Sequence, residues 1–63
     1  MTNTTAFFLA RAEECALEAR NTRLGNVRER NLRSEAAWRA MAARLLHGER
    51  LRLASAREKE EAL

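Results

Sequence analysis

The chain has 63 residues, one cysteine, no proline and two glycines, and its formal net charge is +3. A chain of this length buries only about 60% of its unfolded surface, so one hydrophobic core is marginally stable without a disulfide, a metal or a partner chain. The single Cys15 excludes an intramolecular disulfide, and no cluster of cysteine and histidine offers a metal site. A second copy of the chain is therefore the expected source of stability.

The composition favours an all-α fold. Ala, Arg, Glu and Leu, which are strong helix formers, predominate, whereas Val27 is the only valine and isoleucine is absent. Eleven of the twelve basic residues are arginine. A GC-rich genome produces that bias without any functional cause, so the calculated pI of about 10.4 is weak support for anion binding.

The N-terminal segment does not have the features of a secretory signal. It lacks a basic start, its apolar run covers only residues 6–10, and acidic residues follow at once. No stretch approaches the ~20 apolar residues of a membrane span. We therefore expect a cytoplasmic protein with no membrane span.

A first helix is predicted from about residue 5 to residue 21. Asn3, Thr4 or Thr5 can cap its free N–H groups. Its apolar seam follows a 4-3-4 spacing that is typical of an amphipathic helix, and consists of Phe8, Ala12, Cys15 and Ala19.

Residues 22–26 are predicted to form the turn. Gly25 suits the left-handed conformation that ends many helices, and Asn26 with Glu29 matches a capping box at the start of the next helix. A connection this short joins antiparallel neighbours, which predicts a helical hairpin within one domain covering residues 1–63.

A longer second helix is predicted from about residue 27 to residue 57, followed by a frayed tail over residues 58–63. Its seam steps 4-3-4-3-4 along Val27, Asn31, Ser34, Trp38, Met41 and Leu45. Folding the chain at the turn brings Trp38 near Ala12. Asn31 and Ser34 are polar seam positions that either fix the helix register or are tolerated near the exposed turn. The predicted intrachain core is Phe8, Ala12, Cys15, Trp38, Met41 and Leu45.

The end of the second helix is predicted to form a subunit contact. Gly48 costs the helix about 1 kcal/mol relative to alanine, but helix-forming residues follow it, so the helix should continue. Its far end then extends beyond the first helix and leaves apolar residues uncovered. Two hairpins that pair their long helices antiparallel, as in a coiled coil, give a homodimeric four-helix bundle. The predicted oligomer interface is Leu46, Leu51, Leu53 and Ala54.

Catalysis and cofactor binding are not expected. Cys15 lies in the middle of the first helix on its apolar seam, where a thiol acts as a small hydrophobic side chain, and His47 has no second metal ligand nearby. A two-helix hairpin lacks the enclosed pocket that a carboxylate pair needs for acid–base work. The carboxylates Glu13, Glu14 and Glu18 are instead expected to face arginines across the hairpin, namely Arg30, Arg33 or Arg39.

The predicted function is that of a non-enzymatic interaction module that forms homodimers and binds a protein partner. The alternative is a basic dimeric hairpin that binds RNA or DNA backbone, because residues 27–57 hold eight arginines and three glutamates. Few aromatic residues are available to stack on bases, and the glutamates are interleaved with the arginines. A membrane-surface helix ranks third, since acidic residues follow Arg57. The arginines assigned to nucleic-acid contact are Arg28, Arg39, Arg44, Arg50 and Arg52.

Residues 7–46 resemble small uncharacterised bacterial two-helix proteins. The matching positions are Ala12-Glu13-Glu14, the run Asn26-Val27-Arg28-Glu29-Arg30, then Arg33 and Glu35-Ala36-Ala37-Trp38. Those proteins often carry Cys and Ala where this chain has Asn31 and Ser34. The resemblance implies a helical hairpin and no particular activity.

Overall fold

Two antiparallel helices make up the fold in a computed structural model that describes residues 4–62. Helix α1 spans Thr5–Asn21 and helix α2 spans Gly25–Ala62, and the two pack against each other. No strand occurs in this part of the chain. The principal extents are 60 × 19 × 13 Å, and the longest of them matches the ~57 Å length of a helix with 38 residues. The predicted all-α hairpin, with a short helix before a long one, is confirmed.

Thr4 caps the start of α1. Its backbone is extended (φ −103°, ψ 158°), and its Oγ1 accepts a hydrogen bond of 3.1 Å from the Phe7 N–H. This bond satisfies one of the free donors in the first helical turn. Thr4 was one of the three predicted caps, whereas Asn3 lies outside the described residues.

The turn, residues 22–24, does not use a glycine in the left-handed conformation. No described residue has a positive φ, and Gly25 is the first residue of α2. The prediction of a left-handed Gly25 was therefore wrong, as was the prediction of Asn26 as a helix cap. The reason lies in Thr22, whose extended backbone ends α1 and whose Oγ1 accepts the Leu24 N–H at 3.2 Å.

Arg28 fastens the two helices together at the turn. From the first turn of α2 its Nε donates to the Ala19 carbonyl at 3.2 Å, and its Nη2 donates to the Thr22 carbonyl at 2.7 Å. Carbonyl groups at a helix C-terminus lack intrahelical partners and carry partial negative charge. The guanidinium therefore satisfies the end of α1 in place of a backbone turn.

Helix α2 is continuous through Gly48, as predicted, and it extends to Ala62. The expected end near residue 57 and the frayed residues 58–62 were wrong, while Leu63 lies outside the described residues. The sequence from Ala56 onward contains only good helix formers, and Lys59 in the last turn complements the helix dipole.

The centre of the interface between α1 and α2 is made of alanine. The only hydrophobic residues that are buried, and not merely half-buried, among residues 4–62 are Ala12, Ala16, Ala19 and Ala42. Every predicted seam position in both helices is buried or half-buried. The Asn31 amide donates to the Val27 carbonyl of its own helix at 3.0 Å, so its polar group is satisfied without a partner on α1. This bond favours the view that Asn31 is tolerated near the turn.

Aromatic side chains pack at the opposite end of the hairpin. Trp38 meets Phe7 edge-on with ring centroids 6.0 Å apart, and it meets Phe8 at 5.7 Å. The Arg11 guanidinium lies 5.4 Å from the Trp38 ring centroid. The half-buried Trp38 is thus the largest side chain in the core and joins α2 to the first turns of α1.

Candidate functional site

The most distinctive surface is the far end of α2, residues 49–62, which we call the overhang. Every one of these residues is exposed although the helix persists, whereas Leu45 and Gly48 are still half-buried. At 1.5 Å per residue the overhang is about 21 Å long. Nothing in residues 4–48 covers it.

The residues predicted to form the oligomer interface lie on two sides of α2. Leu46 is 38% exposed and Leu53 is 68% exposed, and their spacing of seven residues places them on one side. Leu51 is two residues from Leu53 and so lies about 200° around the helix, on the side of Ala54. A single partner helix can therefore cover one of these pairs but not both.

We name the side that carries Leu46 and Leu53 the leucine face. It continues along α2 at 3-4 spacing, with Ala42 before the two leucines and Ala56 after them. Further towards the turn, Leu32 occupies the same heptad position and is 48% exposed. This spacing is present in the sequence. The residues before and after Gly48 lie on one side of α2 only because the helix is unbroken at that position.

A shallow groove between α1 and α2 extends the leucine face onto the hairpin. Near the turn it has an apolar floor and charged edges, and is lined by Ala16, Ala19, Arg20, Arg28, Leu32 and Glu35. Leu9 lies seven residues before Ala16, on the same side of α1, and is 39% exposed. The leucine face is therefore flanked by apolar atoms of α1 as well.

Arg39 spans the groove from α2 to α1. Its Nε lies 2.9 Å from Glu35 Oε2 on α2, and its Nη2 lies 3.1 Å from Glu13 Oε2 on α1. The hydrogen bonds to Glu35 and then to Glu13 raise the pKa of the Arg39 guanidinium, so it stays charged. The Glu13–Arg39 contact agrees with the expected pairing across the hairpin, whereas Glu14 pairs instead with Arg11 of its own helix at 2.6 Å.

The arginines considered for nucleic-acid contact do not form a single surface. The guanidinium of Arg28 is bound to carbonyls of α1 and the turn, and that of Arg39 is bound to two glutamates. Arg44, Arg50 and Arg52 are exposed. Arg50 and Arg52 lie about 200° apart around α2, so one phosphate backbone cannot follow both.

The chemically reactive side chains are dispersed. Cys15 is half-buried in the seam and His47 is exposed on α2. Across residues 4–62 no three His, Cys, Asp or Glu side chains come together as a metal would require. Within the same residues neither helix has a segment long and apolar enough to cross a membrane.

Comparison with known proteins adds no relative. No family model matches the chain, and no curated protein or solved structure matches it. The resemblance to bacterial two-helix proteins stays a prediction.

Proposed function

We propose that this protein is a non-enzymatic helical interaction module that self-associates through the overhang of α2. The observation that carries the proposal is that every residue from 49 to 62 is exposed in a helix that does not break. The hairpin provides one end of that helix with a partner, and the overhang provides a surface for another chain.

The energetics of helices support this function. An isolated helix shorter than about 12–15 residues is marginal in water, and most helical stability in proteins comes from packing of an apolar side. Leu46 and Leu53 provide such a side, and both remain substantially exposed in the single chain. Burying an exposed leucine contributes roughly 1.5–3 kcal/mol, so association would stabilise the same segment that the hairpin leaves uncovered.

The mass in solution tests the proposal. By sedimentation equilibrium at about 0.15 M salt we expect a species of twice the 7.2 kDa chain mass. Leu53→Glu places a charge on the leucine face and should return the protein to a monomer. Leu17→Glu is the matched control, because Leu17 is also exposed, at 52%, but lies on α1. A wild-type monomer at 100 μM chain would refute the proposal.

The alternative function, binding of an RNA or DNA backbone, would use the exposed arginines Arg44, Arg50 and Arg52, which lie on different sides of α2 and would each contact a different phosphate segment. It predicts an affinity that falls steeply as salt rises, because bound phosphates release counterions. A fluorescence-anisotropy titration with a labelled RNA hairpin at several salt concentrations measures this directly. Binding that is lost in Arg50→Gln and Arg52→Gln would favour the alternative.

A further inference from the structure

We propose that the surface beside each leucine face is occupied by a second copy of this chain in one specific arrangement. The two α2 helices run antiparallel, with a two-fold axis between Glu49 and Arg50. Each overhang lies along residues 37–50 of the partner subunit's α2, beside the first half of α1. This inference rests on the proposed self-association and adds its orientation, its register and the surface that receives the overhang.

The positions of the leucines set the register. Leu46 and Leu53 are equally far from the midpoint between residues 49 and 50, so an antiparallel pair about that point brings each Leu46 beside the partner subunit's Leu53. Moving the register by one heptad in one direction brings Leu53 opposite Arg39, and in the other it brings Leu46 opposite Glu60. Both shifts bury a charged group against an apolar one, which is unfavourable.

The charges on α2 select the same arrangement. About that axis Glu49 falls beside the partner subunit's Arg50. Glu60 falls beside the partner subunit's Arg39, whose bonds to Glu35 and Glu13 use Nε and Nη2 and leave Nη1 for a third carboxylate. A parallel pair would instead place Glu49, Arg39 and Glu60 each beside its own copy. Like charges in direct opposition disfavour that pairing.

The length of the overhang matches the surface that it would cover. In this arrangement residues 49–62 lie along residues 37–50 of the partner, the part of α2 on which the first half of α1 packs. Leu9 and Leu46 of the partner border that surface and are 39% and 38% exposed. Both overhangs are covered at once, and the assembly closes as a dimer because the two contacts are identical.

Disulfide trapping tests orientation and register together. In a Cys15→Ser background, Glu49→Cys places a thiol beside the axis, so mild oxidation should produce a covalent dimer. Leu46→Cys and Leu53→Cys are the matched controls. In each of these variants alone the two thiols are separated by about 10 Å along the axis, beyond the Cα separation of ~4–7 Å that a disulfide spans. An equimolar mixture of the two should cross-link as the mixed dimer.

The outcomes separate this inference from the proposed function. A wild-type dimer with cross-linking at residue 49 and in the 46/53 mixture supports both. A wild-type dimer in which Leu46→Cys or Leu53→Cys cross-links by itself, while Glu49→Cys does not, overturns the antiparallel register and leaves self-association standing. A wild-type monomer overturns both proposals. Circular dichroism of each variant verifies that it remains helical.

Discussion

Removing the indole of Trp38 should destabilise the hairpin more than any other single truncation. Aromatic side chains bury roughly 150–250 Å² each, and because Trp38 is only half-buried we use the lower end of that range, about 150 Å². At about 25 cal/mol per Å² this area contributes about 4 kcal/mol, and allowance for burial in the denatured chain reduces the figure to about 3 kcal/mol. Trp38→Ala also removes the edge-on contact with Phe7 and the cation–π contact with Arg11.

The expected loss is large relative to the whole stability, because a chain of 63 residues is stable by roughly 3–9 kcal/mol. Each kcal/mol moves the Tm of a domain this small by about 4–8 °C, so Trp38→Ala should lower the Tm by about 12–24 °C. Thermal unfolding followed by circular dichroism at fixed chain concentration measures the shift. The exposed Leu17→Ala should move the Tm by less than about 4 °C. An unchanged Tm and full helicity in Trp38→Ala would refute the assignment of the aromatic cluster to the core.

Three further substitutions test the turn and the continuity of α2 by the same measurement. Gly48→Ala should raise stability by about 1 kcal/mol, because its Cβ meets only the Arg52 guanidinium at 3.8 Å and alanine favours the helix. Gly25→Ala should be neutral or stabilising by up to about 1 kcal/mol, because nothing lies within 4 Å of the added Cβ and its φ is not positive. Arg28→Met should cost about 1–2 kcal/mol, because two carbonyls lose their donor.

Each of these substitutions has an outcome that contradicts the structure. A lower Tm in Gly48→Ala would show that the helix bends or ends at that residue. If Gly25→Ala lowered the free energy of unfolding by about 1 kcal/mol or more, Gly25 would have to adopt the left-handed conformation after all. For Arg28 the matched control is Arg30→Met, which removes an exposed arginine of the same helix, and equal effects of the two would mean that Arg28 does not fasten α1 to the turn.

The helices could be predicted from the sequence because helix propensity and the spacing of apolar residues agree along most of the chain. Helix-forming residues, the 3-4 seam and a cap predicted at Asn3, Thr4 or Thr5 all point to the observed α1, which Thr4 caps. The turn was mispredicted for the opposite reason. Its hydrogen bonds come from the Thr22 side chain and from Arg28, which lies nine residues after the carbonyl that it reaches at Ala19. A turn prediction based on Gly25 and Asn26 does not take account of a hydrogen-bond donor that lies in the next helix.

The candidate site could be predicted from the sequence only in part. The sequence indicated that leucines extend beyond α1, but it grouped Leu51 with Leu53, and the phase of α2 separates them. Whether an arginine is free or engaged depends on how the two helices meet. Arg39 reaches Glu13 across 26 positions of sequence, so its engagement follows from the register of the hairpin and not from any local pattern.

The alanine centre of the hairpin limits how this protein can vary. Ala12 is 0% exposed and Ala42 is 2% exposed, so the side chains buried between α1 and α2 at these positions are single methyl groups. A larger side chain at either position overpacks the interface, typically at about 1–3 kcal/mol, and forces the two helices apart. In the proposed dimer the overhang lies beside both helices of the partner subunit, so a change of side-chain volume deep in the hairpin would alter the surface that receives it. The positions of the buried alanines in the hairpin therefore tolerate only small side chains.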